Sequence, residues 1–105
     1  MTNEVSLWEL LVPCVMGDNN KPCRLKHHEQ FDQYVRKISK GLTILKPVKG
    51  QWIDESTENL FKERMIPVRI KCSLRQLHKI MDFAKKHYRQ IAIFAYKISD
   101  EVIIR

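Results

Sequence analysis

The strongest constraint on the fold is a change of hydrophobic period at Ser73. Before it, every second residue from 66 to 72 is apolar, a period of two that predicts a strand over 61–72. Ser73 followed by Gln76 forms a capping-box pattern, which predicts that a helix begins there. Apolar residues then recur at the spacing of one helix face. These residues are Leu77, Ile80, Met81, Ala84 and Tyr88.

Similar patterns predict three more strands and one more helix. Residues 7–16 form an apolar segment closed by turn residues at 17–20, which indicates strand one. Helical spacing over 28–40 predicts the first helix, with Gly41 as its stop. A second strand is expected somewhere in 42–53, followed by a polar hairpin loop at 54–59. Residues 91–98 predict strand four, and 102–104 are a candidate extension of it.

The element order β, α, β, β, α, β limits the choice of topology. Two right-handed crossovers place both helices on one face of a four-stranded antiparallel sheet, so we predict a ferredoxin-like α+β sandwich. At 105 residues the chain is expected to form a single domain over 1–105. Pro13 and Pro67 conflict with this plan, because both fall in strands that are central in that topology and proline cannot donate to the ladder.

The face of the sheet that the helices leave open is expected to be apolar. In strand one both alternation sets contain apolar residues, and one of them consists of Leu7, Leu11 and Val15 beside Glu9. Strand four repeats this pattern, with Phe94, Tyr96 and Ile98 in one of its sets. An exposed apolar sheet indicates an association surface, so a homodimer or a ligand floor is expected. The alternative is that the chain's own loops cover this face.

The net charge of +7 and the isoelectric point near 9.5 permit binding to an anion. A nucleic acid is one possible partner, bound through a basic stripe on the second helix. A solvated helix face is the simpler interpretation of that stripe. Strand 61–72 lacks the glycine and the stacking aromatics of an RNA recognition motif, which disfavours base reading on the sheet. The stripe consists of Arg75, Lys79, Lys86 and Arg89.

The cysteines and the hydropathy indicate a reduced, cytoplasmic protein. Cys14, Cys23 and Cys72 cannot all pair within one molecule, and their spacing matches no metal clamp, so neither a metal nor a cofactor is expected. Cys72 is expected in the core, whereas Cys23 lies in a polar loop near two histidines and is the one candidate for a reactive thiol. No apolar run is long enough to span a bilayer, and residues 1–6 lack the pattern of a leader, so no membrane association is expected.

Two groups of residues are candidates for acid–base chemistry. Arg24, His27 and His28 lead into the first helix and are candidates to hold an anion at its N-terminus, with a solvated helix entry as the alternative. Glu9 lies in an apolar strand, where burial is expected to raise its pKa and make it a candidate general base. An edge position or a salt bridge is the alternative for Glu9.

A third group is a candidate ligand surface on the sheet. Trp52, with Glu63 and Arg69 on the next strand, is expected to offer a stacking surface beside a charge pair, with packing of Trp52 as the alternative. The sequence contains no known catalytic or cofactor signature. The leading hypothesis is therefore a homodimeric binding module. A small cofactor-free enzyme of the dimeric α+β barrel type and a nucleic-acid-associated protein are the alternatives.

Several short motifs carry a family resemblance. Gly41-Leu42-Thr43, Gly50-Gln51-Trp52, the Glu63 strand and a helix ending near Tyr88 and Gln90 span roughly residues 41–96. With these motifs the chain resembles an uncharacterised family of small bacterial ferredoxin-like proteins. The resemblance implies the fold and no activity, and the chain departs from that family in its basicity and in lacking a signal peptide.

Overall fold

The structure is a computed structural model that describes residues 4–105, in which five strands and two helices follow one another along the chain. The strands are β1 (Val5–Pro13), β2 (Thr43–Ile44), β3 (Val48–Ile53), β4 (Leu60–Ser73) and β5 (Ala95–Ser99). The helices are α1 (Leu25–Ser39) and α2 (Leu74–His87). Neither helix is long and apolar enough to cross a membrane.

The strands form one antiparallel sheet with β1 and β4 at its centre. β1 pairs with β4 over its whole length and with β5 on its other side. β2 and β3 both pair with the outer side of β4, β2 beside its later part and β3 beside its earlier part. The two short strands therefore share one position, and the fold is the ferredoxin-like α+β sandwich predicted from the sequence.

The break between β2 and β3 explains how β4 contains a proline. Pro67 lies opposite Leu11, and its carbonyl accepts the backbone N–H of Leu45 at 2.9 Å on the outer side. The N–H and C=O of one strand residue point to the same side, so the donor that Pro67 lacks would also point outward, where β2 ends. The central β1–β4 ladder loses no hydrogen bond there.

Pro13 ends β1, so strand one is shorter at its C-terminal end than the predicted 7–16. By the same alternation the missing donor of Pro13 would point toward β5, whose ladder with β1 stops at Leu10. The residues that follow form a separate small hairpin, in which Val15 pairs with Pro22. Its apolar residues had been assigned to the strand because they share its composition.

In both helices a side chain of the first turn accepts the backbone N–H of the N-cap residue. The box at Ser73 is present as predicted, since Ser73 Oγ accepts the N–H of Gln76 at 3.2 Å. α1 begins at Leu25 rather than at the predicted residue 28, because the Nδ1 of His27 accepts the N–H of Arg24 at 2.9 Å and caps the first turn. It ends with Lys40 in the left-handed conformation at φ 72°, so Lys40 and not Gly41 makes the turn.

The fourth strand begins later than the predicted residue 91. Arg89 turns the chain at φ 55°, Ile91 is 95% exposed, and regular pairing starts only at Ala95. The carbonyl of Phe94 still accepts the N–H of Leu11 at 3.0 Å, but Pro13 has no donor for the residues before it, so the apolar residues 91–93 remain unpaired. The candidate extension at 102–104 is not a strand either.

The core lies between the sheet and the two helices. Leu10 and Ile70 of the central strands are fully buried against Val35 of α1 and Ile80 of α2. Tyr88, just after α2, is the largest of the fully buried side chains in residues 4–105. At about 25 cal/mol per Å² of apolar area, this layer is the main source of stability.

Candidate functional site

The strand register defines the side chains on the open face of the sheet, opposite the helices. Glu9 of β1 lies opposite Arg69 of β4 on one side and Tyr96 of β5 on the other, so all three side chains share one face. Along each strand every second residue from these belongs to the same face. Exposed apolar residues follow on the same face of β3 and β4, among them Trp52 at 41% exposure and Phe61 at 40%. Residues 4–105 therefore leave this face uncovered, contrary to the alternative in which loops of the chain bury it.

A hydrogen-bonded ion pair lies at the centre of the open face. The Nε of Arg69 donates to Oε1 of Glu9 at 3.0 Å, and the hydroxyl of Tyr96 donates to Oε2. Both carboxylate oxygens are thereby occupied, and Glu9 is only 6% exposed although no helix covers it. The sequence analysis had placed Glu9 and Arg69 in different candidate sites, whereas the structure brings them into one network.

The electrostatics of Glu9 differ from the sequence prediction. Burial raises the pKa of this carboxyl, but the hydrogen bonds from Tyr96 and Arg69, with the charge of Arg69, outweigh burial and lower its pKa below the usual value. The prediction of a raised pKa for Glu9 was wrong because it considered only the burial of the carboxyl and not its bonds to Arg69 and Tyr96. An ionised carboxylate with both oxygens occupied has a structural role, which was the salt-bridge alternative for this residue.

Trp52 packs against a second aromatic ring, which was the alternative for this residue, and Arg69 does not pair with Glu63. The Trp52 ring stacks on Phe61 with centroids 4.6 Å apart, on the ribbon that β3 forms with the first part of β4. Glu63 lies two residues beyond Phe61 on the same face, opposite Gly50, and is exposed. Arg69 pairs with Glu9 instead of Glu63 because Glu9 is directly opposite it across the β1–β4 ladder.

The basic cluster before α1 is used for capping. His27 accepts the backbone N–H of Arg24, and the carbonyl of His27 is 2.8 Å from Nε2 of His87. The N–H of His27 in turn donates to the backbone carbonyl of Arg24 at 3.0 Å. The imidazole of His27 is thus used at the helix start, whereas Arg24 takes part there through its backbone.

His28 has a different environment, beside a cleft between α1 and the sheet. Its Nδ1 is 2.8 Å from the hydroxyl of the buried Tyr88. Burial lowers the pKa of His28, while the nearby Asp32 raises it in part. Burial raises the pKa of Tyr88 and also that of Asp32. The cleft has a volume of about 50 Å³ and is lined by Val12, His28, Phe31, Asp32, Ile44, Ile66 and Val68.

The three candidate acid–base groups do not meet. Glu9 lies on the open face, His27 caps α1, and His28 faces the cleft on the helix side of the sheet. A single catalytic centre built from them, as the enzyme hypothesis expects, is therefore not formed. Of the three, only His28 combines a cavity with a second titratable side chain, that of Asp32.

The positive charge of the chain is segregated onto the helices. Residues 24–40 and 73–89 contain ten Lys or Arg against three Asp or Glu, whereas the rest of the chain contains nine of each. Arg75, Lys79 and Lys86 are exposed, as predicted for a basic stripe. Arg89 differs, since its Nη1 donates to Oδ2 of Asp18 at 2.6 Å.

All three cysteines are free thiols, and two of them lie in the hairpin that follows β1. Cys72 is buried in the core, as predicted. Burial raises the pKa of Cys14 and of Cys23, so neither is an activated thiolate. Cys23 packs its Sγ 3.7 Å from the Sδ of Met16 rather than toward solvent.

Comparison with known proteins supports the fold. No family model and no curated protein matches the chain. Among solved structures, it is similar to the periplasmic divalent cation tolerance protein CutA of Archaeoglobus fulgidus, at 13% identity and a TM-score of 0.67 over 96% of this chain and 88% of that one. CutA1 of Oryza sativa matches at 10% identity and a TM-score of 0.68, over 98% and 85%.

A third similar structure is a phage SAM lyase in complex with S-methyl-5'-thioadenosine. It matches at 10% identity and a TM-score of 0.63, over 94% of this chain and 92% of that one. At such identities the likeness shows the fold alone. The resemblance to a small bacterial family with Gly-Leu-Thr and Gly-Gln-Trp motifs stays a prediction.

Proposed function

We propose that the protein is a homodimeric binding module that joins two copies through the open face of the sheet, in the cytoplasm. The observation that carries the proposal is the uncovered face itself, with apolar and aromatic residues around the Glu9–Arg69–Tyr96 network. Monomeric proteins rarely leave large apolar patches exposed. The structural neighbours support only the coarser statement that this fold serves small binding proteins.

The arrangement of this face suits a two-fold interface. In such an interface the same patch meets itself, so the surface must be self-complementary, and any charge that it buries must be neutralised. Arg69 and Glu9 compensate each other within one copy, so covering them leaves no unpaired charge. Trp52 and Phe61 are already stacked and lose little conformational freedom on association.

Light scattering and sedimentation velocity test the proposal. We expect a particle of about twice the chain mass of 12.5 kDa at micromolar concentration. V48E places a charge on the open face of β3 and is expected to weaken association at least about tenfold, because an unpaired charge is then buried. A monomeric wild-type protein at high micromolar concentration contradicts the proposal.

A matched control lies on the same strand. Ile53 is 61% exposed and points to the opposite face of β3 from Val48, which is 42% exposed. I53E therefore makes the same kind of change without touching the open face, and association is expected to be unchanged. Equal effects of V48E and I53E would show that the ribbon, and not this face, determines the oligomeric state.

The charge segregation favours nucleic-acid binding through α2 as a second candidate function. Lys79 and Lys86 lie on the exposed side of α2, where the field of the helices is least compensated. K79E/K86E is expected to weaken binding to a DNA duplex and to lower the salt slope by about two. K46E/K49E changes the net charge equally but lies off the helices. Equal losses in the two variants would remove a role for α2.

A further inference from the structure

A titratable side chain holds the start of α1. The Nδ1 of His27 accepts the backbone N–H of Arg24 at 2.9 Å, and the N–H of His27 donates to the carbonyl of Arg24 at 3.0 Å. A backbone N–H only donates, so Nδ1 must be unprotonated and the ring proton of His27 is on Nε2. The cap therefore exists only while the imidazole is neutral.

The other helix has the same arrangement with a side chain that does not titrate. At the start of α2, Oε1 of Gln76 accepts the N–H of Ser73 at 3.0 Å, as His27 does for Arg24. A carboxamide oxygen accepts hydrogen bonds at any ordinary pH, whereas an imidazole nitrogen stops accepting when it is protonated. The two helix starts are therefore expected to respond differently to acid.

The turn that His27 caps is also the point where α1 contacts the end of α2. The carbonyl of His27 lies 2.8 Å from Nε2 of His87, and since a carbonyl only accepts, Nε2 is the donor. The next residue, His28, has its Nδ1 2.8 Å from the hydroxyl of the buried Tyr88. Both bonds to the end of α2 thus depend on the position of this one turn.

The surroundings of His27 favour its neutral form. Partial burial of the ring lowers its pKa, and nearby basic groups on its own turn and at the end of α2 lower it further. The positive end of the α1 dipole acts in the same direction. A cation formed at this position would therefore lose the cap and meet repulsion from both helices. The basic groups are His87, Lys26, Arg24 and Arg89.

We propose that His27 acts as an acid-sensitive switch between α1 and α2. Protonation of its ring removes the acceptor for the N–H of Arg24, and the first turn of α1 then loosens. The carbonyl of His27 and the ring of His28 lie on that turn, so their bonds to His87 and Tyr88 are lost with it. The step takes up one proton from the solvent at Nδ1 and changes no other covalent bond.

The sign of the pH dependence is defined. The pKa of His27 is lowered in the folded protein, so its contribution to stability is present above the unfolded pKa of about 6.5. That contribution is lost as the pH falls through the folded pKa. The helices stay joined at neutral pH and are released in acid. The switch lies between the helices, so it goes beyond the association proposed for the open face.

Hydrogen exchange resolved by NMR tests the proposal on the full chain. Amides 28–30 report the first turn of α1, and amides 77–79 report that of α2. Exchange is compared between neutral pH and the pH at which the ring-nitrogen shifts show that His27 is protonated. After correction for intrinsic exchange, protection at 28–30 is expected to fall about tenfold, the effect of losing one helix cap. Protection at 77–79 is expected to stay constant, and an equal loss there would contradict a local switch.

H27Q is the matched control. Glutamine supplies an acceptor at the same position, as Gln76 does in α2, but does not titrate. H27Q is therefore expected to keep the protection of amides 28–30 at both pH values. H27L has no acceptor and is expected to show the low value at both. A response to acid in H27Q equal to that of the wild type would overturn the role of His27.

A second measurement on the wild type does not depend on whether the variants fold. The ring-nitrogen NMR spectrum of His27 at neutral pH is expected to show an unprotonated Nδ1 and a protonated Nε2. A protonated Nδ1 at neutral pH would overturn the proposal, and so would full protection of amides 28–30 once the ring is charged. V48E changes only the open face and is expected to keep the response to acid.

Discussion

The ion pair at the centre of the open face allows a quantitative test of the fold. We expect R69M to destabilise the protein by about 2 kcal/mol at pH 7, because Glu9 then stays ionised without its cation. Methionine preserves the apolar stem of the arginine, so little packing is lost. E9Q keeps an acceptor for Tyr96 and is expected to cost about 1 kcal/mol.

The magnitude follows from the exposure of the two partners. The side chain of Glu9 is 8% exposed and that of Arg69 is 41% exposed. Removing one partner of a fully buried pair costs about 3–5 kcal/mol, whereas a fully exposed pair contributes about 0.2–1 kcal/mol. A pair with one buried and one half-exposed member falls between these limits, and the coupling energy of the double-mutant cycle is expected to be about 1–2 kcal/mol.

The pH dependence has a definite sign. The pKa of Glu9 is lowered in the folded state, so its contribution to stability is present above the unfolded pKa and is lost as the pH falls through the folded pKa. Without Arg69 the folded pKa rises, and the loss begins at a higher pH. The coupling between positions 9 and 69 is therefore expected to disappear in acid, when the carboxyl is protonated.

Urea unfolding of the wild type, R69M, E9Q and the double variant measures the cycle at pH 7 and near pH 3. All four proteins must be compared at one concentration, since the stability of a dimer depends on protomer concentration. A coupling of zero at pH 7, or one of equal size at both pH values, would refute the electrostatic account of Glu9.

Three further predictions concern stability. G17A is expected to destabilise the protein by about 2 kcal/mol or more, because the added Cβ would collide with the carbonyl of Arg89. G41A is the control and is expected to be tolerated, because no atom lies near its Cβ. Thermal unfolding compares the two variants. S73A is expected to cost about 1 kcal/mol by removing the cap of α2, which urea unfolding measures. Y88F removes a buried hydroxyl from His28 and is expected to cost about 1 kcal/mol at pH 7. The raised pKa of Tyr88 means that the wild type, but not Y88F, loses this stability as the pH rises above about 10, which alkaline unfolding detects.

Local signals explain what the sequence predicted well. The junction of β4 and α2 was predicted within a residue. The period of two before Ser73 and the capping box after it both depend only on residues close together in sequence. The ferredoxin-like topology followed from the element order and the handedness of crossovers, neither of which depends on exact boundaries.

Non-local pairing explains what the sequence could not predict. The start of β5 at Ala95 depends on where β1 ends, and the break between β2 and β3 matters only because it faces Pro67. Composition alone did not distinguish the unpaired residues 91–93 from strand residues. Composition also did not show that strand one ends at Pro13, because the sequence stays mostly apolar as far as Met16.

The candidate site shows the same limit. Arg69 and Tyr96 lie 60 and 87 positions from Glu9 in sequence, and only the register of three strands brings them together. His27 was assigned to solvent or an anion because a histidine acting as the N3 acceptor of a capping box is not a common sequence signal.

The segregation of charge onto the helical layer has a consequence for assembly. Each copy has an asymmetric charge distribution, with its excess positive charge on the helices rather than on the sheet. Two copies joined through their open faces would point these charged layers in opposite directions and cancel the dipoles along the joining axis. A third copy would meet a positive surface on either side. Repulsion between the helical layers, strongest at low ionic strength, would then prevent assemblies larger than the dimer. The net positive charge would in this way limit the size of the assembly.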